Sequence, residues 1–151
     1  MKKRIFLKLL FIFSFSFAQN KPNPIETVER FFSAFHAKDS LEMQAVFHSK
    51  ARLLRAAIKD DQPVVIENNV EKFIRAVATR KDSPRWEERL GQAVIQQDQN
   101  LATLWVPFRF YLDDTLSHCG VNAFTMVWNG MSWQILSLID TGTKDCSNDE
   151  F

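Results

Sequence analysis

The chain has 151 residues, 46% of them apolar and 25% charged, with 19 basic side chains against 18 acidic ones. The net charge of +1 is small, and without the basic N-terminal leader the balance is weakly acidic, which leaves no electrostatic reason to seek nucleic acid or an anionic membrane. No repeat, low-complexity segment or internal linker divides the sequence, so it reads as one compact domain.

The first stretch is read as a leader. Lys2, Lys3 and Arg4 precede an apolar run from Ile5 to Phe17, and Ser16 and Ala18 supply a small-x-small cleavage site. This is the pattern of a secretory signal peptide over residues 1–18, cut between Ala18 and Gln19. The run, about 13 residues broken by Lys8, is short against the ~20 that span a bilayer. No cysteine follows it closely enough for a lipid anchor. The leader takes four basic residues and no acid, so the secreted or periplasmic chain carries about −3. Residues 19–142 are then the domain, and 143–151 a polar C-terminal tail. A domain of this size buries roughly two-thirds of its unfolded surface.

Helices come next. Asn23, Pro24 and Glu26 read as N-cap, N1 and N3 of a first helix with a capping box. Ile25, Val28, Phe32 and Phe35 then recur at helical spacing as one aromatic stripe. Asp39-Ser40-Leu41-Glu42 starts a short second helix with Met43 and Phe47 on its apolar side. Asn68 and Glu71 repeat the box for a third helix running from Asn68 through Lys81, whose buried face is Val70, Phe73, Ile74 and Val77. Between the second and third helices, Ala51–Ile58 and Val64–Ile66 read as a hairpin.

Four longer strands are expected at about 86–97, 101–112, 118–128 and 133–140. Gln99-Asn100 fits one turn, Asp113-Asp114-Thr115-Leu116 a second, and Asn129-Gly130 is the strongest hairpin signal in the chain. Pro107 inside a strand calls for an edge position or a bulge. Helices followed by an antiparallel meander imply an α+β layout, with the helices covering one face of a single sheet.

Three local pieces carry a family resemblance: Val28-Glu29-Arg30-Phe31-Phe32-Ser33-Ala34-Phe35 with Lys38-Asp39, the segment Leu41 to Phe47, and Trp128-Asn129-Gly130-Met131-Ser132-Trp133-Gln134-Ile135. On these the chain, over residues 24–140, resembles the NTF2-like superfamily and within it the exported lumazine-binding-like and SnoaL-like branch. The resemblance implies a cystatin-like cone: three N-terminal helices packed on a curved antiparallel sheet of about five to six strands, with an apolar cavity between. Ketosteroid-isomerase-type members of the family place a general-base aspartate on the first strand, about eight residues beyond the aromatic that ends helix two. Here Arg55 stands at that place, and a guanidinium cannot take a proton at working pH.

Strand alternation yields the candidate site. If the turn spans Asp113 to Leu116, Tyr111 faces His118, Arg109 faces Gly120 and Trp105 faces Phe124. Through Asn129-Gly130, Phe124 faces Ser137 and Met126 faces Ile135. One sheet face then carries Trp105, Arg109, Tyr111, His118, Asn122, Phe124, Met126, Ile135 and Ser137. The other carries Leu104, Val106, Phe108, Phe110, Val121, Ala123 and Leu138. Either face can pack on the helices, and a one-residue slip exchanges the partners. The reading adopted makes the polar face concave, because Trp128, Trp133, Met126 and Ile135 need cover. The Leu104 and Phe108 face then becomes a homodimer surface.

The candidate ligand-binding residues are therefore Phe32, Arg55, Trp105, Arg109, Tyr111, His118, Asn122, Phe124 and Ser137, an aromatic wall with a few convergent polar groups. Arg109 needs a partner: Glu87, Glu88 or an anionic ligand. His118 and Asp140 also have duller roles, as a hydrogen-bonded surface residue and a strand-end acceptor.

Two functions follow. One is a noncatalytic exported domain that binds a small, partly aromatic ligand. The other is a lyase or isomerase using Tyr111 or His118 as acid–base group and Arg109 to stabilise an anion. No cofactor or metal is expected, since the chain has no nucleophile elbow, Gly-rich phosphate loop or zinc spacing, and His48, His118 and Asp140 lack ligand spacing. A protein-facing role like that of cystatin inhibitors lacks a recognisable inhibitory loop. Cys119 and Cys146 are the only cysteines, and in an exported domain they are expected to pair. Through the Asn129-Gly130 turn Cys119 lies opposite about residue 142, within reach of Cys146 by a flexible tail.

Overall fold

The computed structural model describes residues 21–147. The expected signal peptide, its expected cleavage point and the last four residues of the tail lie outside them. Among the described residues, no helix is long and apolar enough to cross a membrane.

Helix α1 spans Pro24–Ala37, and its Asn23–Glu26 capping box forms as the spacing predicts. It ends where Lys38 adopts a left-handed conformation and returns its N–H to the last turn. Asp39 then caps α2, Ser40–Val46, accepting from the N–H groups of Leu41 and Glu42. The third helix is shorter than its periodicity suggests. α3 spans Val70–Thr79 and is capped by Asn69, whose side chain accepts from Lys72 N–H, in place of Asn68.

Among the described residues seven strands form one sheet: β1 Phe47–Lys59, β2 Gln62–Asn68, β3 Trp86–Leu90, β4 Val94–Asp98, β5 Leu101–Leu112, β6 Thr115–Trp128 and β7 Trp133–Asp140. The order is β2-β1-β7-β6-β5-β3, with β4 also on β5. The sheet is mixed rather than antiparallel throughout, because β1 runs parallel to β7. The single strand expected over 86–97 is two. Its break lies opposite the Val106–Pro107 stretch of β5, where the proline has no N–H to offer a neighbour; Gly91 N–H reaches the Pro107 carbonyl at 2.8 Å.

The register corrects the face assignment. The β5–β6 connection is a tight turn of Asp113 and Asp114, both at positive φ, followed by a bulge that skips Ser117. His118 consequently pairs with Phe110, Asn122 with Val106, and Phe124 with Leu104, one residue away from the expected partners. A second bulge, at Leu136, sets Ser137 opposite Thr125, Leu138 opposite Phe124 and Asp140 opposite Asn122. Leu104, Val106 and Phe108 are buried, so the β5 residues expected on an outer dimer surface are concave and share that face with His118, Asn122 and Phe124 of β6, which were expected there, while Val121 and Ala123 turn outward. The concave face packs on Val28, Phe31, Phe32 and Phe35 of α1 and on Ile74 and Val77 of α3.

The two cysteines form a disulfide, with Cα atoms 5.9 Å apart. The chain after β7 runs back along β6, where Cys119 and Thr143 exchange backbone hydrogen bonds of 3.0 and 2.8 Å. Gly120 permits this approach: a Cβ there would sit 2.5 Å from the Thr141 carbonyl oxygen.

Candidate functional site

The aromatic stripe of α1 does not fill the concavity. Two adjoining chambers of about 280 and 370 Å³ remain between the helices and the sheet. The first is walled by Phe31, Phe32, Phe35, Leu53, Ile66, Phe73 and Leu138, the second by Pro84, Trp86, Phe108, Phe110 and Leu112. Both open on the same three ionisable residues, Arg55, Glu88 and Asp140. Asn122 joins them from the first chamber and His118 from the second.

Strand geometry explains this convergence. Alternation along β3 turns Trp86, Glu88 and Leu90 inward as a set. The bulge at Leu136 re-aims β7 so that Asp140 lies between Asn122 of β6 and Arg55 of β1. Arg55 Nε donates to Asp140 Oδ2 at 2.8 Å, and a terminal guanidinium nitrogen donates to the same oxygen. Asn122, 3% exposed, donates its Nδ2–H to Glu88 Oε1 at 2.6 Å. The backbone N–H of Glu88 donates to His36 Nε2 of α1 at 2.9 Å, which fixes that nitrogen as the unprotonated one.

The electrostatics follow from burial. Desolvation pushes the Glu88 carboxyl up to about 7; Asp140 adds to the rise, while the Asn122 hydrogen bond and Arg55 oppose it. His118 is held below its ordinary value, first by burial and then by Arg55. Burial likewise lowers His36. The Arg55 guanidinium is held further up by its hydrogen bond to Asp140. At neutral pH the cavity therefore ends in a carboxyl poised to take or give a proton beside a neutral imidazole.

Of the residues expected at the site, Phe32, Arg55, His118 and Asn122 line the chambers. Phe124 is buried beneath Phe32, the rings edge-on at 6.5 Å, and belongs to the core. The slipped register turns Trp105, Arg109 and Tyr111 to the outer face. There Trp105 is 54% exposed, and the Arg89 guanidinium stacks 4.1 Å from the Tyr111 ring centroid. Ser137 follows them outward through the second bulge. Glu88 and Arg109 stand on opposite faces, so Glu88 is not the arginine's partner. His48 lies in a separate groove between α2, α3 and β1, and among the described residues no three His, Cys, Asp or Glu side chains are placed to hold one metal ion.

Sequence reasoning weighed Glu88 only as a partner for Arg109, and Asp140 as a strand-end acceptor or as a metal ligand beside His48 and His118. The signal for Glu88 was in the chain: an acid two residues from Trp86 and two from Leu90 shares their buried face. Nothing local announces Asp140, whose position depends on the bulge.

No family model matches this sequence, and no curated protein does. Solved structures match well. A protein of unknown function with a cystatin-like fold from Nostoc punctiforme superposes with a TM-score of 0.62 at 13% identity, over 80% of this chain and 89% of that one. An NTF2-like protein of unknown function from Shewanella baltica gives 0.58 at 14% identity, over 79% and 90%. The fold is NTF2-like. An NTF2-like protein from Cytophaga hutchinsonii agrees, with a TM-score of 0.59 at 12% identity over 79% of this chain and 94% of that one. At these identities the likeness establishes the NTF2-like cone and leaves its activity to the cavity.

Proposed function

We propose that this NTF2-like domain is exported and binds a small organic molecule with an aromatic or otherwise apolar body in the two-chambered cavity. One observation carries the reading: an aromatic-walled cavity opens on a single polar cluster, in which Asn122 is buried, Glu88, Asp140 and His118 are half-buried and Arg55 reaches the surface. Apolar walls supply affinity, and a few fixed polar groups supply orientation. Benzyl alcohol is a suitable probe. It should give saturable shifts in the indole N–H signal of Trp86 and in the methyls of Leu53, Ile66 and Leu138. The indole of Trp105, on the outer face, should not move. Shifts spread over the outer face, or none at all, would refute a cavity site.

A second reading, a lyase or isomerase, is favoured by Glu88 itself. A carboxyl held at about 7 is suited to abstract a proton and return it, with neutral His118 as the neighbouring group. Tyr111 has no part in this, being on the other face. Catalysed α-proton exchange of acetophenone in heavy water, lost in Glu88→Gln, would support it; exchange no faster than in buffer would count against it.

Export and self-association are part of the same proposal. The disulfide suits an oxidising compartment. An apolar row crosses the outer face in register, Val94 to Trp105 to Ala123 to Ile139, exposed at all of these but Ala123, and a second copy is the occupant that fits it. Native mass spectrometry of periplasmic material tests both at once. The expected species is a dimer of chains beginning at Gln19; a chain retaining residues 1–18 contradicts export, and a monomer contradicts the pairing.

A further inference from the structure

We propose that the cavity takes a small organic cation, a protonated amine on an aromatic or apolar body, with its ammonium set against Glu88 and Asp140. The proposal rests on the cavity being a ligand site and adds the charge of what enters it.

Charge balance is the first argument. Two carboxyl groups face the shared space and one guanidinium does, and that guanidinium already places two of its nitrogens on Asp140 Oδ2. His118 adds no charge, since burial and Arg55 keep its imidazole neutral. Among the described residues that line the space, an anion meets Glu88 and Asp140 and no cation but the paired Arg55, whereas an ammonium completes the set.

The second argument is hydrogen bonding. Glu88 Oε1 is taken by Asn122, while its other oxygen accepts from no described residue and borders the cavity. An ammonium brings three donors and no acceptor, enough to reach that oxygen and Asp140 together. The walls complete the fit, because ring faces attract cations.

Burial supports the same conclusion. With no cation present the Glu88 carboxyl keeps its proton up to about 7. The groups around it are Arg55 on β1, Asp140 on β7, and His118 and Asn122 on β6. His36 on α1 stands at its backbone N–H, and α3 contributes only the uncharged Phe73. Binding is then an exchange: the carboxyl releases its proton to solvent, and its carboxylate pairs with an ammonium that keeps its own.

Three probes with one ring and different charges test this: benzylamine, benzyl alcohol and benzoate, titrated calorimetrically in buffers of different ionisation enthalpy. Benzylamine is expected to bind at least about tenfold tighter than the alcohol at pH 8. Its affinity should fall about tenfold from pH 8 to pH 6 as Glu88 gains its proton, with nearly one proton released per ligand at pH 6. In Glu88→Gln both the pH dependence and the preference for the amine should vanish. Alcohol binding as tight as the amine at pH 8, or tighter binding of benzoate, would overturn the cation and leave the cavity reading standing. Binding of none of the three at millimolar concentration would overturn both.

Discussion

Replacing Glu88 by glutamine is expected to stabilise this protein at pH 8 and to change it little at pH 4.5. The carboxyl is held at about 7 against an ordinary 4.5, so its ionised form is disfavoured in the fold by about 3 kcal/mol, at ~1.4 kcal/mol per tenfold. The sign follows from proton binding. Between 4.5 and 7 the folded chain holds a proton that the unfolded chain has lost, so stability falls as pH rises through that window. Below it the cost is absent, and above it the cost is complete. Glutamine keeps an oxygen for the Asn122 amide and carries no charge to desolvate. His36 and His118, both held low by burial, impose the opposite slope: their contribution is present above about 6.5 and lost as pH falls. They are common to parent and variant and cancel in the difference. Denaturant melts across pH 4.5 to 8 give the comparison. A stability difference that does not change with pH would mean that Glu88 ionises in water.

Removing the disulfide should cost about 3.5 kcal/mol in the chain-entropy model, given its sequence separation of 27 residues. Cys146→Ala is the cleaner test, because Cys119 is fully buried and a change there would disturb packing as well. Two backbone hydrogen bonds between Cys119 and Thr143 remain available without the covalent link, so the tail should loosen while the sheet persists. The expected result is a lower denaturation midpoint with an unchanged cavity. Equal midpoints for the variant, the reduced parent and the oxidised parent would show that the bridge does not constrain the unfolded chain.

The helices were legible because their signals are local. Asn23 and Glu26, or Asp39 before Leu41, settle a terminus within four residues, and the stripe of Ile25, Val28, Phe32 and Phe35 needs no partner to be recognised. The hairpins around Asp60 and Asn129 were legible for the same reason. The sheet faces were not, because each depends on one residue. A strand reads the same whether or not Ser117 or Leu136 bulges, yet either bulge exchanges every partner beyond it. Two consecutive aspartates gave a turn without its length. Hence His118 and Asn122, which line the cavity, were chosen together with Trp105, Arg109 and Tyr111, which point the other way. Arg55 marked where the general base of ketosteroid isomerases would stand, and its arginine argued against catalysis. Carboxyl groups reach the cavity all the same, from β3 and β7, and parallel pairing of β1 with β7 brings Asp140 to Arg55.

The burial of Glu88 at the polar end of an aromatic cavity is tested most directly by titrating its carboxyl. Carbon-detected NMR of glutamate-labelled protein, with the Glu88 resonance assigned by its absence in Glu88→Gln, follows that one group through the pH range. An inflection at about 7 is expected. An inflection near 4.5, with the exposed glutamates, would place the carboxyl in water and contradict the site.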